Sequence, residues 1–379
     1  MKVVVAIDSL KGSLSSMEAG RAIEEGVKKA VKDAEVIVKP LADGGEGTTD
    51  ALIEGLKGER IDIQVTGPLG ETVAAYYGFL PETKTAILEM AAAAGITLLP
   101  AGVKDPLRAS TYGVGQMIRD AVKRGARDFI IGIGGSATND GGIGMLKALG
   151  YEFLDKAGKA VGEGAAALGS VVKVTDEGVM PELKECHFRV ACDVTNPLCG
   201  ENGATYIYGP QKGVSEEMKK ELDMAMKSYA KACAEYAGTD YSEYPGSGAA
   251  GGLGFALMTF LPAELKSGID LILDAVGLEE CLSDADYVIT GEGRLDHQTA
   301  MGKAPAGVAR LAKKHGATVV ALAGALTKDA GVCNDAGIDG FFCILTAVTS
   351  LEEAMKKETA AYNMTLTAEQ LFRLLGAKK

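Results

Sequence analysis

Short apolar runs alternate along the chain with polar, glycine-rich turns and segments of helical period. Residues 3–7 form a β-rich run ending in Asp8, and a helix is expected from the next polar turn to about residue 32. Ser15 and Glu18 stand at capping-box spacing before it. Residues 35–39 predict a second strand, which leads through Pro40-Leu-Ala-Asp-Gly-Gly-Glu-Gly-Thr48 into a helix reaching about residue 56. Strand, turn, helix, repeated, is the α/β signature. The rhythm then changes. Residues 61–65, 72–80 and 85–90 read as strands joined by tight turns, an antiparallel-looking patch. Residues 110–124 restore helical period, with Val114, Met117, Ile118, Ala121 and Val122 on one face and Gly125 as the stop.

Residues 129–131 predict a buried strand that delivers Gly132-Ile-Gly-Gly-Ser-Ala-Thr-Asn-Asp-Gly-Gly142. A strand and hairpin turn follow at 151–159, and a further strand at 188–192. Residues 215–236 carry a helix whose Met218, Leu222, Ala225, Tyr229 and Cys233 fall along one side, a core stripe. Residues 246–254 form another glycine turn before an apolar helix. Strands at 286–290, 318–322 and 340–345 restore the β-turn-α rhythm, and Thr349 with Glu352 and Thr367 with Gln370 have capping-box spacing for the closing helices. The expected fold is α/β with two α/β domains. One, residues 1–66 and 285–379, has a mainly parallel sheet formed by both chain ends; the other, residues 67–284, is inserted in the middle.

Composition narrows the partners. With 39 basic and 51 acidic residues among 379, the net charge is −12, which argues against nucleic acid or an anionic membrane as the main partner. A small anion is still admissible, because a local nest of N–H groups works inside an acidic protein. Seven scattered cysteines without a C-x-x-C pair, and three histidines, argue against zinc and for reduced thiols in a cytoplasmic protein. The first residues lack a signal peptide's apolar core, and no run of about 20 apolar residues suggests a membrane span.

Five turns share one character, combining glycines, small hydroxyls and a carboxylate at the end of an expected strand: residues 8–13, 43–48, 134–142, 193–200 and 291–296. In open α/β sheets ligands bind at that edge. Asp8, Asp43, Glu46, Asp193, Glu292 and Asp296 would supply oxygen ligands for a hard cation. Backbone N–H groups, with Lys11, Arg294 and Lys303, would take phosphates. His297 is a candidate general base or a structural histidine. No Walker A loop, protein-kinase signature or G-x-S-x-G elbow occurs. The rival reading is a nicotinamide-dependent dehydrogenase using Gly132-x-Gly134-x-x-Ala137, with Glu152 downstream. Against it, Thr138-Asn-Asp-Gly-Gly142 delays the helix, and the other four turns go unexplained.

Asp8-Ser-Leu-Lys-Gly-Ser13, Pro40–Thr48 as quoted above, the 132–142 turn, Ala191-Cys-Asp-Val-Thr-Asn-Pro-Leu198, Gly248-Ala-Ala-Gly-Gly-Leu-Gly254 and Thr290-Gly-Glu-Gly-Arg-Leu-Asp296 together resemble the bacterial glycerate kinase type I family. The resemblance spans essentially the whole chain, with Leu10 where the family often has Phe. It implies ATP-dependent phosphorylation of D-glycerate, usually at the 2-hydroxyl. It also implies one domain of flavodoxin-like topology and one likened to restriction-endonuclease folds. On that footing Gly134, Gly135, Ser136, Thr138, Asn139, Gly141, Gly248 and Gly251 are expected to hold ATP phosphates, and Asp193 and Asp43 to position Mg2+. Lys11 and Arg294 would grip the substrate carboxylate or the transferring phosphoryl group, and Asp296 or Asp8 would be the general base. Assembly into a homo-oligomer is compatible with the sequence.

Overall fold

The computed structural model describes residues 1–376. Its strands are β1 (Lys2–Ile7), β2 (Glu35–Pro40), β3 (Glu59–Thr66), β4 (Thr72–Leu80), β5 (Thr85–Glu89), β6 (Asp128–Gly132), β7 (Glu152–Leu154), β8 (Lys173–Thr175), β9 (His187–Ala191), β10 (Ala263–Lys266), β11 (Tyr287–Leu295), β12 (Thr318–Leu326) and β13 (Gly340–Cys343). The chain divides into two compact units. The first comprises Met1–Asp43, Asp50–Lys57 and the chain from Ile269 onward; the second comprises Gly44–Thr49 and Gly58–Gly268.

The first unit holds a parallel sheet in the order β13-β12-β11-β1-β2. Counted along the unit, that is the flavodoxin-like doubly wound order. β1 is a continuous apolar run because the sheet is covered on both faces. Val3, Val5 and Ile7 pack with Ile23 and Val27 of the Ser16–Ala30 helix and with Met364, Ala368 and Phe372 of the Lys357–Gly376 helix. The first helix starts at the expected capping box. Ser15 Oγ accepts the Glu18 N–H at 3.2 Å, and Glu18 accepts the Ser15 N–H at 2.8 Å.

The other two capping signals fare differently. Ser350, not Thr349, caps the Leu351–Ala354 helix, accepting the Glu353 N–H at 3.2 Å. Thr367 and Gln370 lie inside one unbroken helix, Lys357–Gly376. Its buried Ala360, Met364, Ala368 and Phe372 recur at helical spacing, and their packing overrides the local cap.

The second unit is built on a mixed sheet, β10-β9-β6-β5-β4-β3. β3, β4 and β5 pair antiparallel, as the tight turns between them require, while β5, β6, β9 and β10 run parallel. Phe129 of β6 stacks on Phe188 of β9, with centroids 4.6 Å apart. Met117, Ile118 and Ile131 join that core, as do Tyr229 and Phe255. The Glu216–Ala237 helix buries Leu222, Tyr229 and Cys233, three of the five residues of its expected stripe. β7 and β8 form a separate antiparallel pair. Among the described residues no helix is long and apolar enough to cross a membrane.

The two helices over the first sheet touch at Gly26. A Cβ there would lie 2.3 Å from the Thr365 carbonyl oxygen and 2.8 Å from Ala368 Cβ. Helix propensity alone favours Ala over Gly by about 1 kcal/mol, whereas a forced backbone shift costs about 1–3 kcal/mol. The clash should win: Gly26→Ala is expected to lower stability by roughly 1–2 kcal/mol. Denaturant unfolding reads this directly, and an unchanged or raised midpoint would refute it.

Candidate active site

In a doubly wound sheet of this order the crevice opens where the connections from neighbouring strands diverge, beyond their carboxyl ends. Here that point lies between β1 and β11. Asp8 follows β1 directly, and its N–H donates to the Gly291 carbonyl at 2.9 Å. The β1–β11 register closes at Val5 and Ile289, while β11 runs on against β12 as far as Leu295 and Leu326. Glu292 and Arg294, two apart, therefore fall on one face of a strand that overhangs the crevice. Gly291 must be glycine: φ is 150°, and a Cβ would stand 1.8 Å from the Leu322 carbonyl oxygen.

A cavity of about 660 Å³ occupies this position. Asp8, Ser9, Lys11, Ser13, Asp43, Glu292, Arg294, Asp296 and Lys303 line its polar part. Of the site residues expected in the first unit, all but His297 thus line one cavity. Asp8 is only 7 % exposed. Burial, reinforced by the neighbouring Asp43 carboxylate, pushes its pKa up to about 7, against the Ser9 N–H it accepts at 2.7 Å and the Lys11 charge. Glu292 is likewise held above the usual carboxylate range, first by burial and further by Asp296 and Asp43. The Thr299 hydroxyl, which donates to it, and Lys303 pull the other way. Asp43 therefore acts electrostatically on both carboxylates.

Asp296 is built differently. Its Oδ1 accepts the Gln298 and Thr299 N–H groups at 2.9 and 3.3 Å, capping the His297–Ala300 turn of helix. Its Oδ2 lies 3.3 Å from Arg294. Arg294 is 66 % exposed, so this pair contributes little to stability and leaves most of the guanidinium open to a ligand. His297 lies 3.2 Å from Asp329 and does not line the cavity.

The remaining expected residues belong to the second unit. Asp193 Oδ1 accepts the Gly268 N–H at 2.8 Å. Gly134 and Gly135 are exposed, whereas Ser136, Thr138, Asn139, Gly141, Gly248 and Gly251 are buried. The 132–142 turn is held from inside. Asp140, with no exposed surface, accepts the Thr111 N–H and hydroxyl, both at 2.8 Å, and the Gly142 and Gly144 N–H groups at 3.1 and 3.2 Å. Gly141 donates to the Gly251 carbonyl at 2.9 Å, and Gly251 sits so close that a Cβ would lie 2.1 Å from Thr138 O. The two glycine turns thus brace each other, and Gly134-Gly135 is the exposed part of the first. The following helix begins only at Ile143, so the 132–137 match lacks the helix that a dinucleotide fingerprint must open. This corrects the dehydrogenase alternative.

Sequence reasoning passed over Lys212 and Glu89. Lys212 is 1 % exposed and donates to Ser136 Oγ at 2.7 Å and to Thr138 O at 2.6 Å. Burial drives its pKa down to about 7, against the attraction of Asp140. The usable signal was a lone cation between Pro210 and Gly213 in an otherwise uncharged turn. Glu89, at the end of β5, accepts the Gly47 and Thr49 N–H groups at 3.4 and 2.8 Å. It thereby satisfies donors at the start of the Thr48–Leu56 helix. A strand-terminal Glu carries no such signature.

For magnesium, the first unit's cavity offers oxygen donors of the right hardness, and neighbouring carboxylates add to burial in raising Asp8 and Glu292. Among the described residues no three or more His, Cys, Asp or Glu side chains are already grouped as a metal cage. Mg2+ is commonly held by one or two carboxylates together with waters and substrate phosphates.

A doubly wound sheet with carboxylates and cations in its crevice defines an α/β enzyme acting on a small anionic ligand. Comparison narrows the class. The glycerate kinase family model matches residues 3–376, and the chain belongs to that family. It is 49% identical to glycerate 2-kinase of Escherichia coli K12 over 94% of this chain and 93% of that protein. It is 45% identical to glycerate kinase of Haemophilus influenzae Rd over the full length of both. A crystal structure from Salmonella typhimurium LT2, provisionally assigned as glycerate kinase 2, superposes with a TM-score of 0.92 at 44% identity, covering 100% of this chain and 99% of that one. As a kinase family, it implies an ATP co-substrate.

Two stability measurements follow from the buried charges. Folded Asp8 keeps a proton that the unfolded chain releases between about pH 4 and 7, so the native carboxylate costs stability increasingly across that window and constantly above it. Asp8→Asn should therefore be more stable than the parent at pH 8, by up to roughly 2–4 kcal/mol, with the gap closing near pH 4. A variant less stable at pH 8 would contradict this. Lys212 has the opposite sign. Its folded pKa lies below the unfolded one, so the parent should gain stability relative to Lys212→Met as pH rises from about 7 to 10, and a flat difference in urea titrations would refute the burial argument.

Proposed function

We propose that the chain is a cytoplasmic, ATP-dependent kinase that phosphorylates D-glycerate at its 2-hydroxyl, giving 2-phosphoglycerate. The observation that carries this reading is the first unit's cavity, where a buried carboxylate of pKa about 7 shares walls with Lys11, Arg294 and Lys303. Family membership supports the acceptor, since relatives bear the names glycerate kinase and glycerate 2-kinase.

Asp8 is the favoured general base. Its pKa near neutrality suits accepting a hydroxyl proton and releasing it again. Asp296 is the weaker candidate, because its oxygens already cap a helix and face Arg294. Lys11 and Arg294 supply fixed positive charge for the acceptor carboxylate and the phosphoryl oxygens in flight. Asp43, which acts electrostatically on both Asp8 and Glu292, is a magnesium ligand in this reading, and Asp193 of the second unit is a further candidate ligand. These carboxylates would hold a divalent cation whose chemistry, when bound, is to offset the phosphate charge. Gly134 and Gly135, the exposed residues of their turn, are the phosphate contacts in this reading, while Ser136, Thr138, Asn139, Gly141, Gly248 and Gly251 shape that turn from beneath.

The test is a coupled assay with purified protein, Mg-ATP and D-glycerate, the product being resolved as 2- or 3-phosphoglycerate. Glycerate-dependent ADP release with 2-phosphoglycerate as product is expected. With Asp8 as base, kcat/KM should fall as pH drops below about 7, and Asp8→Asn should lose about 10²–10⁴-fold in kcat. ADP release independent of glycerate would sink the reading, and 3-phosphoglycerate would reassign the hydroxyl.

A further inference from the structure

The first unit's cavity is far larger than its proposed acceptor. A three-carbon hydroxy acid is polar on every side, whereas about 660 Å³ is a volume suited to a nucleotide-sized ligand. The cavity is also of mixed character. Besides the carboxylates and cations, its lining includes Leu10, Ile344, Leu345, Leu351, Ala354 and Met355, with Thr349 and Ser350 among them. Glycerate has nothing to offer the six apolar side chains.

This wall is partly floor and partly open rim. Leu10 and Ile344 are 5 % and 2 % exposed, whereas Leu345, Met355 and Leu351 are 42 %, 38 % and 76 % exposed. Apolar side chains left in water on the rim of a polar pocket mark a place where ligand surface is expected. The rim is also held in place. The Ile344 N–H donates to the Ala323 carbonyl at 2.9 Å, fixing the exit from β13 to β12. Ser350 caps the Leu351–Ala354 turn, and the Met355 N–H donates to Leu351 O at 3.0 Å. The wall is therefore preformed, so a ligand need not pay to order it.

We propose that this apolar wall seats the purine base of ATP. The ligand must carry both a flat apolar part and an anionic part, because Lys11, Arg294 and Lys303 line the same cavity. Of the reactants in a kinase reaction on glycerate, only the nucleotide has that form. The base lies against Leu345, Leu351 and Met355, and its polyphosphate extends toward the three cations. The choice of ATP as ligand rests on the kinase reading above; the wall itself does not.

Calorimetric titration of the whole chain with ADP, and separately with pyrophosphate, isolates the base from the phosphates. Leu345→Ser and Leu351→Ser change side chains already open to solvent, so the fold should survive; circular dichroism checks this. Leu374→Ser, 66 % exposed on the C-terminal helix and outside the cavity lining, is the control. Each wall variant should bind ADP about tenfold more weakly, with pyrophosphate affinity within about twofold of the parent. In turnover, KM for ATP should rise and KM for D-glycerate should stay. Unchanged ADP affinity, equal loss for ADP and pyrophosphate, or a parent chain that binds no ADP would each overturn the proposal. A chain that binds ADP through Leu351 yet transfers nothing to D-glycerate would uphold the base seat and defeat the kinase reading.

Discussion

β1 and β11 are neighbours in one parallel ladder, yet the chain continues from β1 to β2 on one side and from β11 to β12 on the other. Backbone hydrogen bonding forces the strands together, and the diverging connections leave a gap above their carboxyl ends. Everything chemical in the first unit follows from that gap. Asp8 and Glu292 are delivered to its two sides, and the Asp8 N–H to Gly291 bond sets their spacing. The carboxylates resist ionisation because burial and mutual repulsion act together, and the nearby cations offset this only in part. Such a site is destabilising when empty, and a cationic or hydrogen-donating ligand relieves it, which is a common cost of active-site preorganisation.

The second unit solves another problem. A long glycine-rich turn has many backbone N–H groups and little intrinsic order. Here order comes from two charged side chains buried beneath it. Asp140 collects donors from Thr111, Gly142 and Gly144, and Lys212 supplies donors to Ser136 and Thr138. Burying either charge alone would be prohibitive; their mutual attraction and their hydrogen bonds make the pair tolerable. The consequence is a turn whose exposed part, Gly134-Gly135, is held still by a polar network that never meets solvent.

Much of the fold was legible in the chain. Apolar runs marked β1, β6, β11 and β12, because strands buried on both faces need unbroken hydrophobicity, and shorter apolar runs marked β2 and β9. The change to closely spaced strands marked β3, β4 and β5 as antiparallel. The Ser15–Glu18 capping box formed as expected, even though Ser15 Oγ also donates to Glu54 and Glu18 also accepts from Lys357, while Thr367–Gln370 misled because packing of Met364, Ala368 and Phe372 carried the helix through it. Likewise the polar turns identified which residues carry chemistry, but not which of them face solvent.

By itself, then, the sequence determined the parallel sheet drawn from both chain ends and the location of polar turns at strand ends, since hydrophobic period and glycine placement are local properties of the chain. Only the tertiary structure decided which turns meet. Asp8, Asp43, Glu292 and Asp296 share a cavity, whereas Thr138, Asn139 and Gly141 are buried beneath the turn they belong to. It alone revealed Lys212 under that turn and the apolar residues from Leu345 to Met355 in the same cavity as the cations. Burial and the electrostatic fields it creates depend on residues far apart in the chain, so no local pattern could have carried them.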